Sequence, residues 1–141
     1  MIPGDSVLCT VTATDEYDGT SSDSAAVEIE NTPPEVSGIS ISPSSGVTNS
    51  SDLTCSASAS DDDGDTPTLT YAWTNVSESS SLGTGSTLSL TTSTASPGDT
   101  IRCTATATDG AGETDSTSTT VDVDNTAPEI SSVSLSPSSV Y

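Results

Sequence analysis

The chain has 141 residues and a formal net charge of −20, because 21 acidic residues stand against one arginine, no lysine and no histidine. This charge excludes binding to the phosphate backbone of nucleic acids and polybasic contact with a membrane surface. Without histidine, Ser-His-Asp and Cys-His catalysis and imidazole ligation of metals are also excluded, so we do not expect an enzyme. The sequence has no apolar run that is long enough to span a bilayer.

The first block of the chain returns later in the sequence. PGDSVLCTVTATD begins at Pro3, and PGDTIRCTATATD begins at Pro97, which is 94 residues further on. NTPPEVSGISISPSS begins at Asn31, and NTAPEISSVSLSPSS begins at Asn125 with the same offset. Two ungapped blocks with one offset predict tandem copies of a 94-residue module. The expected divisions are the last strands of one copy (1–33), a complete copy (34–127) and the first strand of a third copy (128–141).

Small apolar residues alternate with polar ones along the complete copy. CSASAS from Cys55 and IRCTATAT from Ile101 each place their apolar side chains on one face, which is typical of half-buried β-strands. The predicted strands are, in chain order, one with Val36, Ile39 and Ile41, two near 52–59 and 68–76, a short edge strand within 77–86, one with Leu88 and Leu90, one at 100–108 and one with Val121 and Val123.

Cys55, Trp73 and Cys103 lie in three of these predicted strands. A cysteine, a tryptophan in the next strand and a late cysteine are typical of the immunoglobulin sandwich, in which a disulfide joins the sheets and the indole packs against it. We therefore predict an all-β, immunoglobulin-like Greek-key β-sandwich with a Cys55–Cys103 disulfide. This bond would be worth about 4 kcal/mol through lost chain entropy, and it indicates an oxidising compartment outside the cytoplasm. Cys9 corresponds to Cys103 in the repeat, so its partner is expected upstream of Met1.

Two longer stretches carry a resemblance to a family. DDDGDTPTLTYAW and CTATATDGAGETDSTSTTVDVDNTAPE resemble the tandem immunoglobulin-like repeats of bacterial surface proteins, including the polycystic-kidney-disease-like and cadherin-like groups. The shared features are an Asp-Gly-Asp loop, a following Tyr-x-Trp and a closing Thr-Asp-Gly turn. The chain departs from antibody-type domains at Ile101, where those domains carry a tyrosine. The resemblance implies an extracellular or cell-surface location and a structural or adhesive use.

The acidic loop and the repeat junction contain candidate ligands for calcium. Asp61, Asp63 and Asp65 alternate around Gly64, but the loop lacks the bidentate glutamate that completes an EF-hand. In an immunoglobulin sandwich the B–C loop, the F–G loop and the preceding linker lie at one end, so further oxygens are expected there. The full candidate set is Asp61, Asp63, Asp65, Asp109, Glu30, Asn31 and Glu35, with Glu113 beside them. The alternative is a solvated acidic turn, in which aspartate and glycine serve only turn geometry.

Two sequons for N-linked glycans are present. Asn49-Ser-Ser and Asn75-Val-Ser match the acceptor pattern, although short sequons arise often by chance in a chain this rich in serine and threonine. Apart from calcium, we expect no cofactor.

The repeat and its short proline-containing joints predict a structural role. Asn-Thr-Pro-Pro and Asn-Thr-Ala-Pro are stiff, because proline fixes its own φ and restricts its neighbour. We expect a repeat of an extracellular filament, fibre or surface stalk, whose partners are neighbouring copies of the same module. The alternative is a non-catalytic binding module of a secreted adhesin or hydrolase that recognises carbohydrate or a cell surface. Exposed aromatic residues would favour that alternative, and the aromatic residues are Tyr17, Tyr71, Trp73 and Tyr141.

Overall fold

The structure, a computed structural model, describes residues 1–136. This part of the chain contains β-strands and no helix. The strands are β1 (Ser6–Thr14), β2 (Thr20–Glu28), β3 (Glu35–Ser42), β4 (Asp52–Ser60), β5 (Thr68–Asn75), β6 (Ser80–Thr84), β7 (Thr87–Ser89), β8 (Thr100–Thr108) and β9 (Thr114–Asp122). The strands predicted from alternation are therefore confirmed, and the one predicted around Leu88 and Leu90 is shorter than expected.

The strands form three sheets in which every pair is antiparallel. β1 and β2 make a hairpin by themselves, β3-β4-β7 make a three-stranded sheet, and β6-β5-β8-β9 make a four-stranded sheet. The two larger sheets pack face to face through one shared hydrophobic core, which gives the sandwich-like part of the molecule. Their inward residues come from the alternating positions that the sequence predicted.

The disulfide and the tryptophan lie at the centre of this core. Cys55 on β4 is bonded to Cys103 on β8, so the bond joins the two sheets. Trp73 lies directly opposite Cys103 in the β5–β8 pairing, and only 1% of its surface is exposed. Its Nε1 donates to the carbonyl oxygen of Gly85 at 2.8 Å, which satisfies the indole's only polar group. A buried disulfide indicates folding in an oxidising compartment.

β3 connects the two sheets at one side of the sandwich. It pairs with β4, and the pairing shifts register between Ser37 and Ser40, around Gly38 with a φ of +62°. Val36 is buried with Ala105 and Ala107 of β8, although these residues belong to the opposite sheet. The backbone N–H of Val36 also donates to Oδ2 of Asp115 on β9 at 2.9 Å. β3 is thus fixed to both sheets.

The β1–β2 hairpin has the same local structure as the β8–β9 hairpin, 94 residues further along the chain. The N–H of Gly4 donates to the carbonyl of Ile29 at 2.8 Å, and that of Gly98 donates to the carbonyl of Val123 at 2.8 Å. All residues of β1 and β2 are nevertheless exposed, whereas the alternate residues of β8 are buried. Cys9 is accordingly an exposed free thiol.

Residues 123–136 form no strand, in contrast to the first strand expected from residue 128 onwards. The equivalent residues of the complete copy form β3 by pairing with β4. The remaining part of that prediction, residues 137–141, lies outside the described residues.

Candidate functional site at the linker junction

The acidic loop between β4 and β5 is folded by its own aspartates. The N–H of Asp63 donates to Oδ1 of Asp61 at 2.8 Å, and the N–H of Gly64 donates to the Asp61 carbonyl at 3.2 Å. Gly64 has a φ of +88°, a conformation that L-residues rarely adopt. This turn leaves the carboxylate of Asp63 free to accept hydrogen bonds from outside the loop.

The turn between β8 and β9 is held by Asp109. Its Oδ1 accepts from the N–H groups of Gly112 at 2.7 Å and Glu113 at 2.8 Å, and only 8% of the residue is exposed. Oδ1 is thus used within the turn, and Oδ2 points towards the linker that precedes β3. The position of Asp109 at the end of β8 thus gives the linker a fixed acceptor.

The linker residues Asn31 and Thr32 contact both loops. Nδ2 of Asn31 donates to Oδ2 of Asp109 at 2.8 Å and to Oε2 of Glu113 at 3.0 Å, and it lies 3.2 Å from the carbonyl oxygen of Thr32. The N–H and Oγ1 of Thr32 both donate to Oδ2 of Asp63, at 2.7 Å and 2.9 Å. We call this set of four hydrogen bonds from Asn31 and Thr32 to Asp63, Asp109 and Glu113 the linker junction.

The linker junction affects the charge state of Asp109. The hydrogen bond from Asn31 is the largest influence and lowers the pKa of Asp109; burial raises that pKa, and backbone N–H groups of the turn lower it further. The net result is a pKa below the usual 3.8. Asp109 is therefore ionised near neutral pH, and charge-assisted hydrogen bonds of this kind are stronger than neutral ones.

The remaining predicted calcium ligands contribute less to this end of the molecule. The carboxylate of Asp65 lies close to Gly110. A Cβ atom added to this glycine would be 3.1 Å from Oδ2 of Asp65. Glu30 and Glu35 are exposed, and Oδ2 of Asp61 is buried without a hydrogen-bond partner.

The geometry of the linker junction does not resemble an assembled calcium site. Calcium takes six to eight oxygens around one point. Within residues 1–136 no three acidic, cysteine or histidine side chains are grouped closely enough to hold a metal ion. The carboxylates of Asp63 and Asp109 are instead met by N–H and O–H donors from the linker. Calcium binding stays a prediction, and the hydrogen bonds explain the clustering of these residues without an ion.

The two glycosylation candidates have different surroundings. Asn49 is half-buried in the loop before β4, whereas Asn75 at the end of β5 is fully buried. Nδ2 of Asn75 donates to Oδ2 of Asp99 at 2.8 Å and to the Thr94 carbonyl at 3.2 Å. A glycan would replace one of the two hydrogens on this nitrogen, so it would cost at least one of these bonds and the burial of the Asn75 side chain.

Sequence reasoning missed the roles of Thr32, Asn75 and Asp99. The pair Asn-Thr is present in both repeats, at 31–32 and 125–126, and this identity was a usable signal for Thr32. Asn75 and Asp99 form a buried polar pair in which the N–H of Ser96, followed by Asn75, lowers the pKa of Asp99. No periodicity links these two residues, since they meet only when the loop after β7 folds over β5.

Comparisons with known proteins leave the chain without an assigned family. No protein-family model, no curated protein and no solved structure matches it. Among the residues that the structure describes, no helix has the length and apolar character needed to cross a membrane. Any functional assignment has to come from the chain's own residues.

Proposed function

We propose that this chain is a segment of an extracellular rod, in which tandem immunoglobulin-like modules of 94 residues are joined in fixed orientation. The rod serves as the shaft of a filament, fibre or surface stalk. Its function is mechanical and spatial, and its partners are neighbouring copies of the module. The observation that carries this proposal is the linker junction.

The linker junction supports a rod because it limits bending at the joint. Asn31 and Thr32 lie in the linker between the end of β2 at Glu28 and the start of β3 at Glu35, so they are the hinge between the two proposed modules. Four hydrogen bonds tie them to Asp63, Asp109 and Glu113 of the second module. Pro33 and Pro34 then restrict the backbone on the far side. A joint with few free dihedrals holds its neighbours in one orientation.

The strand order supports the immunoglobulin-like assignment. Numbered as in such modules, β3, β4 and β7 correspond to strands A, B and E, and β6, β5, β8 and β9 correspond to C′, C, F and G. The inter-sheet disulfide lies between B and F, and the tryptophan lies on C, as in immunoglobulin domains. The matching hydrogen bonds of the β1–β2 and β8–β9 hairpins support a repeat.

Charge and disulfide chemistry support a location outside the cell. The cross-sheet disulfide needs an oxidising compartment. A net charge of −20 keeps rods apart in dilute salt and keeps a surface rich in serine and threonine soluble. Both properties suit a shaft that is exposed to the medium.

The alternative of a carbohydrate-binding module has less support. Trp73 is buried, and Tyr71 is half-buried with its hydroxyl accepting a hydrogen bond from the N–H of Ala57. Tyr17, which is 84% exposed at the β1–β2 turn, is the most exposed aromatic residue of the described part. Binding sites for sugars use several such groups around a concavity, and this turn lacks them.

Electron microscopy of the native material tests the proposal. Filaments or stalks of uniform width, in which an axial repeat corresponds to one module, are expected. Dispersed globular particles that bind a glycan array would support the alternative instead.

A further inference from the structure

Two strands of the sandwich lose their pairing partners on the same side of the molecule. β6 pairs with residues 72–75 of β5, and residues 68–71 of β5 have no neighbouring strand on that side. β7 pairs with residues 52–54 of β4, and residues 56–60 of β4 are uncovered in the same way. In both strands the free half adjoins the acidic loop that joins β4 to β5. Both strands lie inside the sandwich, so these free edges belong to the folded module itself.

Backbone groups on the free edge of β5 have no partner. The N–H of Gly85 donates to the carbonyl oxygen of Tyr71 at 3.0 Å, so the backbone groups of Tyr71 face away from β8. The carbonyl of Gly85 accepts from the indole of Trp73 and returns no bond to the N–H of Tyr71. Because backbone groups point to alternate sides along a strand, those of Leu69 face the same way as those of Tyr71. The N–H of Tyr71 and both backbone groups of Leu69 are therefore available to another strand.

The side chain of Tyr71 fixes this opening in shape. The N–H of Cys55 on β4 donates to the carbonyl of Ser86 at 2.8 Å, so the N–H of Ala57 faces the same opening. The hydroxyl of Tyr71 accepts from that N–H at 3.3 Å, and its ring packs against the core. Tyr71 thus bridges the two sheets and covers the edge of β4 at Ala57. The edge of β5 stays open and is held in place.

A groove of about 620 Å³ lies along the free edge of β5. Its lining includes residues of β5, the end of β6 and β8, namely Leu69, Tyr71, Ala72, Thr84, Gly85 and Thr106. This volume is within the range of about 300–1,000 Å³ that is typical of ligand sites. An extended peptide in this groove would continue the line of β6. In such strand addition the main-chain hydrogen bonds provide affinity, and pockets for alternate side chains provide specificity.

The acidic loop determines which kind of peptide fits the groove. Asp65 precedes Leu69 by four residues, so their Cα atoms are at most about 14 Å apart. Asp62 and Asp65 are exposed, and neither carboxylate accepts a hydrogen bond within the described part of the chain. A second copy is a poor occupant, because each copy has a net charge of −20 and Arg102 as its one basic side chain. A basic segment of another protein complements the charge of the loop.

We propose that the free edge of β5 binds an extended, basic segment of another protein by β-strand addition. The segment pairs with the backbone of Leu69 and Tyr71, and its lysine or arginine side chains contact Asp62 and Asp65. This gives the module a binding function beyond its proposed role in a rod. The proposal does not depend on the repeat, because every group that it uses lies in the sandwich and its acidic loop.

An NMR titration of the full chain that resolves single amides tests this proposal. The probe is an eight-residue peptide in which lysine and valine alternate. One control peptide has the same sequence with every backbone nitrogen methylated, so it keeps the charge and loses the main-chain donors. A second control peptide alternates glutamate and valine. The lysine peptide should slow hydrogen exchange of the Leu69 and Tyr71 amides at least about tenfold, and neither control peptide should protect them.

Variants separate the contribution of the groove from that of the charge. Ala72→Trp fills the groove from an exposed position and should weaken binding at least about tenfold. Asp62→Asn combined with Asp65→Asn should weaken it at least about threefold, because two ion pairs are lost. Glu78→Gln combined with Glu129→Gln is the matched control. It removes two exposed carboxylates outside the acidic loop and should bind as the parent does in about 0.15 M salt, where distant charges are screened. Near-ultraviolet circular dichroism verifies that each variant folds.

Three results would overturn the proposal. The first is unprotected Leu69 and Tyr71 amides with the lysine peptide at up to about 1 mM. The second is equal binding of the methylated peptide, which would show undirected attraction to an acidic surface. The third is protection of these amides that grows with the concentration of the chain alone, which would assign the edge to a second copy. None of these results alters the micrographs that test the rod.

Discussion

The β1–β2 and β8–β9 hairpins have related sequences and the same strand pairing, but opposite environments. Both pair over nine residues on each strand, and in both an aspartate accepts from the backbone of the turn: Asp15 from Gly19 at 2.8 Å and Asp109 from Glu113 at 2.8 Å. Ile101 is fully buried, whereas its equivalent Val7 is 40% exposed. Alternation and turn residues thus determine the hairpin, and burial depends on which sheet lies opposite.

Equivalent residues of the two hairpins also have different roles. Cys103 lies against β4 and forms the disulfide, while Cys9 in the same register has no sheet opposite it. Asp109 has Asn31 in front of it, while Asp15 contacts only its own turn. Each of these differences can be tested by a substitution in one hairpin, and the equivalent position in the other hairpin provides the control.

The largest effect is expected from Trp73→Ala. Trp73 packs in the core that buries the β8–β9 hairpin, and its loss should lower the free energy of unfolding by about 3–5 kcal/mol. Tyr17→Ala in the exposed hairpin should change it by less than about 0.5 kcal/mol. Denaturant titration followed by far-ultraviolet circular dichroism measures both. Equal effects at the two positions would contradict the burial described for Trp73.

The disulfide is expected to contribute slightly less. Replacing Cys55 and Cys103 together by serine should cost about 2–5 kcal/mol, because the unfolded chain is no longer closed into a loop of 48 residues. Cys9→Ser should change the free energy of unfolding by less than about 0.5 kcal/mol, since its thiol is exposed and free. Non-reducing peptide mapping should recover one Cys55–Cys103 peptide. A Cys9–Cys55 peptide would show that the module boundaries are wrong.

The acid titration of Asp109 is a smaller effect with a defined sign. Because Asn31 lowers its pKa, Asn31→Ala should raise that pKa towards 3.8. The hydrogen bond stabilises the folded chain above the pKa of the unfolded state and is lost as the pH falls through the lower, folded-state pKa. The substitution should therefore matter near neutral pH and lose its effect in strong acid. Carboxyl-carbon NMR titration measures the shift. Asn125→Ala, in the equivalent exposed position, is the control and should leave the pKa of Asp109 unaltered.

Much of the fold could be predicted from sequence because its determinants are local. Alternation located the strands, the Cys-Trp-Cys order located the core, and the shared offset of 94 residues paired the two hairpins. The end of β7 was less predictable, since Leu90 continues the alternation but leaves the sheet and is buried in the following turn.

The linker junction could be predicted in location but not in chemistry. The acidic residues were expected to converge with Asn31, and three of them, Asp63, Asp109 and Glu113, accept hydrogen bonds from Asn31 or from the adjacent Thr32. Composition alone suggested a cation as the partner of these carboxylates, because a sequence does not show that the Asn31 amide and the N–H of Thr32 point at them. The buried pair of Asn75 and Asp99 was missed for a similar reason: the sequon suggested an exposed asparagine, and only the loop path buries it.

Small-angle scattering of two complete modules in one chain tests whether hydrogen bonds of the linker hold neighbouring modules in one orientation. Residues 34–127 repeated in tandem recreate the joint Asn-Thr-Ala-Pro of residues 125–128. We expect an extended particle about twice as long as one module, with the same maximum dimension in chelator and in calcium. Asn125→Asp at the joint should broaden the distance distribution, because the new carboxylate would face the carboxylates of Asp109 and Glu113 in the second module. A particle that is flexible in chelator and becomes extended only with calcium would show that the ion, and not the hydrogen bonds of the linker, holds the joint.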